Sequence, residues 1–421
     1  MAYGEWISRD GKLLFLEKTV RTIPYGFLSV AFSLYLQYLG FSLVRIGIVL
    51  TLTILSSALY TLAISLVADR FGRRRVLVLF ALTDLVAGAL LFSSTAWWVP
   101  VLAGVVGNMA VGSGEVGPFL SLEQAILPRT CGASRRTLAF SIYNFVGYGA
   151  LALGAGLASL ASTPSPEHLR PYFLGYLLSG LVGAFLYSRL TSAVEPQTGG
   201  TKQAVFSPKG RPIVYRLSAL FALDSFGGGF IGANLLALYF ARRFGLTLSS
   251  LGLLFMATQI LTALSFFAAE RVARRIGLLR TMVFSHVPSN LFLIGVAFAP
   301  TARVAVILLF CRQSLSQMDV PTRQSYVMAI VDDSDRTAAA GITNSTRTVT
   351  SAISPSFAGY ALQTLWVGTP LVAAGALKLV YDLLMYVNFR KVRPPEEKPT
   401  ERPDEEQPAV AKGETHEAGD A

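Results

Sequence analysis

Twelve stretches of about 20 mostly apolar residues dominate this chain. A helix rises about 1.5 Å per residue and a bilayer core is about 30 Å thick, so each stretch is long enough to cross it. The spans read 17–39, 46–68, 76–95, 98–121, 138–161, 172–192, 217–240, 250–269, 278–299, 303–324, 338–362 and 370–390. The expected fold class is therefore all-α, a polytopic membrane protein with twelve transmembrane helices. Six spans lie on each side of a polar stretch, giving two six-helix pseudo-symmetric bundles. The expected domains are an N-terminal bundle 1–192, a cytoplasmic linker 193–216, a C-terminal bundle 217–390 and a disordered cytoplasmic tail 391–421. No cleavable signal peptide is expected: the first 18 residues are too polar, and the run after them is a full span.

Charge supports this reading. Only 14% of residues are charged and 52% are hydrophobic, too little polar material to coat a soluble chain of 421 residues. The net charge of +11 resembles that of a nucleic-acid binder, but such proteins carry it on solvated faces. Here the tail from Lys391 holds 9 acidic and 5 basic residues, and the remainder is +15. That excess lies in alternate loops: Arg70, Arg73, Arg74 and Arg75; Arg129, Arg135 and Arg136; Lys202, Lys209, Arg211 and Arg216; Arg271, Arg274 and Arg275; and Arg336. Basic loops stay cytoplasmic, so both termini are expected there and the protein in the cell membrane. Nucleic acid is not an expected partner. With two cysteines and three histidines, neither a disulfide scaffold nor a metal site of the His/Cys kind is expected.

The halves are related. Arg136–Asn144 (RTLAFSIYN) matches Arg336–Asn344 (RTAAAGITN) at five of nine positions, 200 residues apart. Ala68–Arg74 resembles Ala269–Arg275, Leu39–Gly47 resembles Phe244–Gly252, and Glu115–Pro118 resembles Asp319–Pro321, all in the same order. Ordered matches at one shift mark an internal duplication, as in many transporters.

Between the second and third spans stands SLVADRFGRRRVL (Ser65–Leu77). It resembles the signature loop of the major facilitator superfamily, G-x-L-a-D-R-x-G-R-[RK]-x-x-L, with Ser65 at the first glycine and Val67 at the leucine. Glu270–Arg275 is a degenerate second copy. The resemblance implies a gating latch built from Asp69 and Arg73 with an acid of the fourth helix, Glu123 here, and from Glu270 and Arg274 in the second copy. On the residues alone, these arginines also suffice as topology signals.

Ionisable residues inside spans cost about 2.5–3.5 kcal/mol each even on lenient scales, so they mark function or paired structure. They are Arg21, Asp84, Glu115, Asp224, His286, Arg312, Asp319, Arg347, Lys378 and Asp382. The resemblance implies that helices one, four, seven and ten line the cavity. This selects Arg21, Glu115, Asp224, Arg312 and Asp319 as candidates for substrate contact or proton coupling, with Arg21 and Asp224 nearer helix ends. Arg312, Asp319 and Arg323 share one helix face, where an acid and a base can exchange partners; a fixed packing pair is the alternative. Asp84 and His286 are expected to brace structure, Lys378 and Asp382 to pair at i, i+4, and Arg347 to reach across the two halves.

The expected function is secondary active transport of a small molecule by alternating access, coupled to protons, with export favoured over uptake. An anionic substrate follows if the span arginines face the cavity. Asn108 stands where drug–proton antiporters carry an arginine, and Gly147–Leu157 has the exporters' glycines without their proline, which weakens the export reading. The alternative is a transporter-like sensor or lipid-handling protein whose acidic tail docks a partner. No enzyme activity and no cofactor are expected, and a phosphate-binding G-x-x-x-x-G-K-[ST] loop does not occur. The expected partners are substrate, protons and the lipid bilayer, with the chain acting as a monomer.

Overall fold

The computed structural model describes residues 6–109, 111, 117–131, 136–161, 165–195, 210–330 and 336–392. The first half holds α1 (Arg9–Tyr38), α2 (Leu43–Phe71), α3 (Arg73–Ser93), α4 (Trp98–Val106), α5 (Pro118–Ile126), α6 (Arg136–Leu157) and α7 (Pro166–Ser188). The second half holds α8 (Gly210–Gly229), α9 (Ala233–Phe244), α10 (Leu248–Ile276), α11 (Leu278–Phe298), α12 (Ala302–Ser316), α13 (Asp319–Ile330), α14 (Arg336–Thr364) and α15 (Thr369–Phe389). With α4–α5, α8–α9 and α12–α13 each read as one interrupted rod, these make the twelve spans. The linker beyond Glu195 and the tail beyond Val392 lie outside the described residues.

Among the described residues, eight stretches are long and apolar enough to cross a membrane by length and composition alone. The rods that fall short are α1, α4–α5, α12–α13 and α14. Two of them are interrupted, α14 is rich in Ser and Thr, and α1 carries Arg9, Asp10, Lys12, Glu17, Lys18 and Arg21. Large apolar side chains such as Leu59, Leu79, Phe185, Leu264, Phe284 and Leu383 are exposed on the outside. Lipid solvates such a surface; water would not.

Local chemistry sets the helix ends. Ser8, Ser42, Ser165, Thr247 and Thr301 are N-caps, each accepting a bond from the N–H three residues on. Ser42 and Thr247 are equivalents in the repeat. Gly72 (φ 93°) and Gly277 (φ 88°) hold corresponding places between helices in the two halves, each ending one helix and starting the next in a single residue. A side chain would strain that turn, so the basic hairpins at α2–α3 and α10–α11 depend on glycine.

The halves join at the end opposite these hairpins. Every residue of Tyr25–Leu36 in α1 and of Phe230–Phe240 around α9 is buried. Ser33 N–H donates to Asn234 Oδ1 at 2.9 Å, and Asn234 Nδ2 donates to the Val111 carbonyl at 3.0 Å. Beside this seal, Thr51 bonds Ser356 at 2.8 Å and Ser249 bonds the Ser159 carbonyl at 2.8 Å. Backbones touch where α2 crosses α14: a Cβ on Gly47 would lie 2.4 Å from the Pro355 carbonyl oxygen, and one on Gly359 2.4 Å from that of Leu43.

Candidate functional site

Arg21 does not sit near a helix end. The first helix begins at Arg9, eight residues before the apolar run, so Glu17, Lys18 and Arg21 occupy its middle and are all buried. Arg21 Nε donates to both oxygens of Glu17, at 2.9 and 3.1 Å, and Nη2 to Glu123 Oε2 at 2.8 Å. Its guanidinium lies 4.3 Å from the Phe119 ring centroid. Glu123 also accepts from Tyr143 at 2.5 Å and Tyr187 at 2.8 Å, and Lys18 donates to Tyr143 at 3.1 Å. Two acids and two bases thus meet where α1, α5, α6 and α7 converge, each charge solvated by its neighbours instead of water.

The second half repeats the arrangement with signs exchanged. Asp224 occupies the place of Arg21, well inside α8, and Arg323 that of Glu123, each about 200 residues on. Asp224 Oδ1 lies 2.6 Å from Lys378 Nζ, and Oδ2 lies 3.1 Å from Arg347 Nη1 and 3.8 Å from Arg323 Nη1. Arg323 also pairs with Asp319, one turn back on α13. Phe221 backs this cluster as Phe119 backs the first, with Arg323 5.7 Å from its ring centroid.

A third buried group brackets each half. Asp84 accepts from Tyr25, Tyr176 and the Asn108 N–H, all at 2.9 Å. Its repeat equivalent, His286, bonds Asp382 Oδ1 through Nδ1 at 2.8 Å, and Asn290 Nδ2 donates to Asp382 Oδ2 at 2.9 Å.

Several expected pairings are therefore corrected. Lys378 pairs with Asp224 instead of Asp382, because Asp382 is held by His286 and Asn290. Arg347 stays within its own half, on Asp224. Asp319 pairs with Arg323 and not with Arg312, whose Nη1 donates to Gln313 Oε1 at 2.7 Å. Glu123 joins Arg21 instead of Arg73. Near the signature loop the acid is Glu195, which accepts the N–H groups of Arg73 at 2.7 Å and Arg74 at 3.1 Å and so caps α3. Glu115 and the side chains of Asp69, Glu270 and Arg274 lie outside the described residues.

Residues missed in the sequence are Glu17, Lys18, Glu195 and the tyrosines 25, 143, 176 and 187. The signal for the core of the site was present: continuing the 200-residue shift past Arg136 pairs Glu123 with Arg323 and, three residues off, Arg21 with Asp224.

A family model described as Major Facilitator Superfamily matches residues 18–316 and 217–416. The chain belongs to that superfamily. The two matches overlap, as expected of a duplicated fold. An uncharacterized membrane protein of Saccharomyces cerevisiae is 25% identical, over 91% of this chain and 94% of its own length. Among solved structures, the nucleoside transporter NupG aligns with a TM-score of 0.70 at 15% identity, over 91% of this chain and 99% of that one. A D-xylose-proton symporter aligns at 0.70 and 13% identity, over 89% and 97%. The human organic anion transporter MFSD10 aligns at 0.62 and 16%, over 90% and 99%. At such identities these structures share the fold alone. The superfamily is one of transporters, and this member is a secondary transporter and not an enzyme.

Proposed function

We propose that the protein is a proton-coupled secondary transporter of the cell membrane that exports a small molecule, with both termini cytoplasmic. The observation that carries this reading is the sign-exchanged pair of clusters, Arg21 with Glu123 and Asp224 with Arg323, on the first and fourth rods of each half. By the resemblance these rods line the cavity between the halves, and the halves rock against each other when access alternates, so each cluster passes between closed and water-filled surroundings. A carboxylate that loses its basic partner in that movement, inside a low-dielectric body, takes up a proton; one that regains the partner releases it. Asp319 and Asp224, which share Arg323, are the acids placed for this exchange. In this reading the outer seal through Ser33 and Asn234 makes the present form inward-facing. The basic hairpins at Asp69–Arg73 and Glu270–Arg274 latch the opposite, outward-facing form.

The D-xylose-proton symporter supports proton coupling as a capacity of this fold. The test is reconstitution in liposomes holding a pH-sensitive dye, with a panel of sugars, nucleosides and organic acids added in turn. A solute-dependent proton flux that disappears in Asp224→Asn and Asp319→Asn is expected. Solute movement indifferent to an imposed pH gradient, and equal in both variants, would reject the coupling.

A further inference from the structure

Four arginines lie within the described spans away from the helix ends, and three of them are compensated. Arg21, Arg323 and Arg347 each reach a carboxylate within 4 Å. Arg312 does not. It is 92% buried, two-thirds of the way along α12, and has no carboxylate within that distance among the described residues. Its Nη1 is engaged by Gln313, whose own amide is anchored to Thr262 of α10 at 2.7 Å. Its Nε is enclosed and bonds to nothing.

That pattern is chemically specific. A guanidinium offers two bidentate edges, and in the one between the two Nη atoms Nη1 is already engaged by Gln313. The other edge, Nε with Nη2, is left without an acceptor, and it is the edge that matches the two oxygens of a carboxylate or phosphate. One turn further along the same face, the Ser316 hydroxyl is also buried without a partner. Ala305, Leu309, Arg312 and Ser316 form the buried stripe of α12, so the charge sits in an otherwise apolar or neutral strip. A cation desolvated this far without an anion is unfavourable unless an anion arrives from outside.

Resting on the transport reading above, we propose that Arg312 is the recognition point for an oxyanion group of the transported solute, with Ser316 as a second donor. The Gln313–Thr262 bridge is a positioning device that turns the free edge of the guanidinium toward the solute.

The test is thermal unfolding of the full-length protein in detergent. The additions are sodium benzoate, its neutral analogue benzamide, and inorganic phosphate, each balanced with sodium chloride. Benzoate or phosphate is expected to raise the Tm by about 3 °C or more at saturation, the effective one identifying the class, while benzamide leaves it unchanged. Arg312→Gln is expected to abolish the rise, and Arg312→Lys, which keeps the charge but not the fork, to weaken the anion's affinity at least about tenfold. Without added anion, Arg312→Gln is expected to be as stable as the wild type or more so, because the desolvated charge is removed and only one bond, to the neutral Gln313 amide, goes with it. The proposal is overturned by an equal response to benzamide, by a response that persists in Arg312→Gln, by no response to either anion, or by a destabilised Arg312→Gln protein. Because the readout is binding, an anion response without solute flux in liposomes would count against transport and leave the anion site standing.

Discussion

Arg21 and Glu123 lie 102 positions apart in the chain, yet Arg21 Nη2 stands 2.8 Å from Glu123 Oε2 with both side chains almost wholly buried. The pair fixes the first rod to the fourth within the first half. Asp224 and Arg323 do the same in the second half with the signs reversed, at a looser 3.8 Å. A duplication preserves the places of such groups, and exchanging both signs together preserves their attraction. Both pairs share their members with other charges, Arg21 with Glu17 in the first half, and Arg323 with Asp319 and Asp224 with Lys378 and Arg347 in the second. On the proposed mechanism, the tight pair acts as a brace and the looser one as the exchanger.

Removing one member of the tight pair leaves the other charged and buried. Glu123→Gln is expected to cost about 3–5 kcal/mol of stability, as is usual when a buried pair is broken from one side. Adding Arg21→Met to it should cost less than the separate effects combined, by at least about 1 kcal/mol, since the contact between the two is lost only once. Thermal unfolding of the two single variants and the double variant measures this. Strict additivity would show that the two side chains do not interact.

The partner of Lys378 can be tested in the same way. A double-mutant cycle of Lys378→Met with Asp224→Asn is expected to show a coupling of about 0.5–3 kcal/mol, and the cycle with Asp382→Asn a smaller one. The reverse ranking would restore the i, i+4 pair suggested by the spacing on α15.

Hydropathy made the twelve rods legible because lipid demands the same solution of each: a long apolar run with its backbone bonds closed inside the helix. It failed at the start of α1 for a physical reason. Arg21 reads as a charge near the end of a span, with Glu17 and Lys18 at its edge, but all three lie well inside a longer helix and are buried because Glu123, Tyr143 and Tyr187 arrive from other rods to solvate them. Nothing local encodes that meeting. The same holds for Lys378, whose neighbour at i+4 is outcompeted by Asp224, an acid 154 positions away in the chain. The capping residues and the turn glycines Gly72 and Gly277 are the opposite case, because their work is done within four residues and the local sequence encodes it.

Asp84 poses a different case, since all three of its donors are neutral. Tyr25→Phe and Tyr176→Phe are each expected to cost about 1.5–3 kcal/mol, the range for hydrogen bonds to a charged group. Asp84→Asn should also destabilise, because its amide nitrogen presents a donor to a neighbour that is itself donating. Unfolding measurements on the three variants test this. A fully stable Asp84→Asn protein would show that the three bonds do not depend on a carboxylate.

The contact of α2 with α14 offers a way to move the conformational equilibrium without touching any charge. Gly47 and Gly359 let the two backbones meet at the end that joins the halves, taken as the outer one in the proposed orientation, and a Cβ on Gly359 would come within 2.4 Å of the Leu43 carbonyl oxygen. Backbone cannot yield to that contact by a rotamer change, so Gly359→Leu should push the halves apart there and favour the form open at the outer end. Ser33, fully buried beside Asn234, reports the change. In a background with Cys131 and Cys311 replaced, a cysteine introduced by Ser33→Cys is expected to react with a membrane-impermeant thiol reagent at least about tenfold faster when Gly359→Leu is present. That factor corresponds to a shift of about 1.4 kcal/mol between the two forms. Equal rates in the two backgrounds would mean that the outer seal does not depend on this crossing, and that Ser33 and Asn234 hold it by themselves.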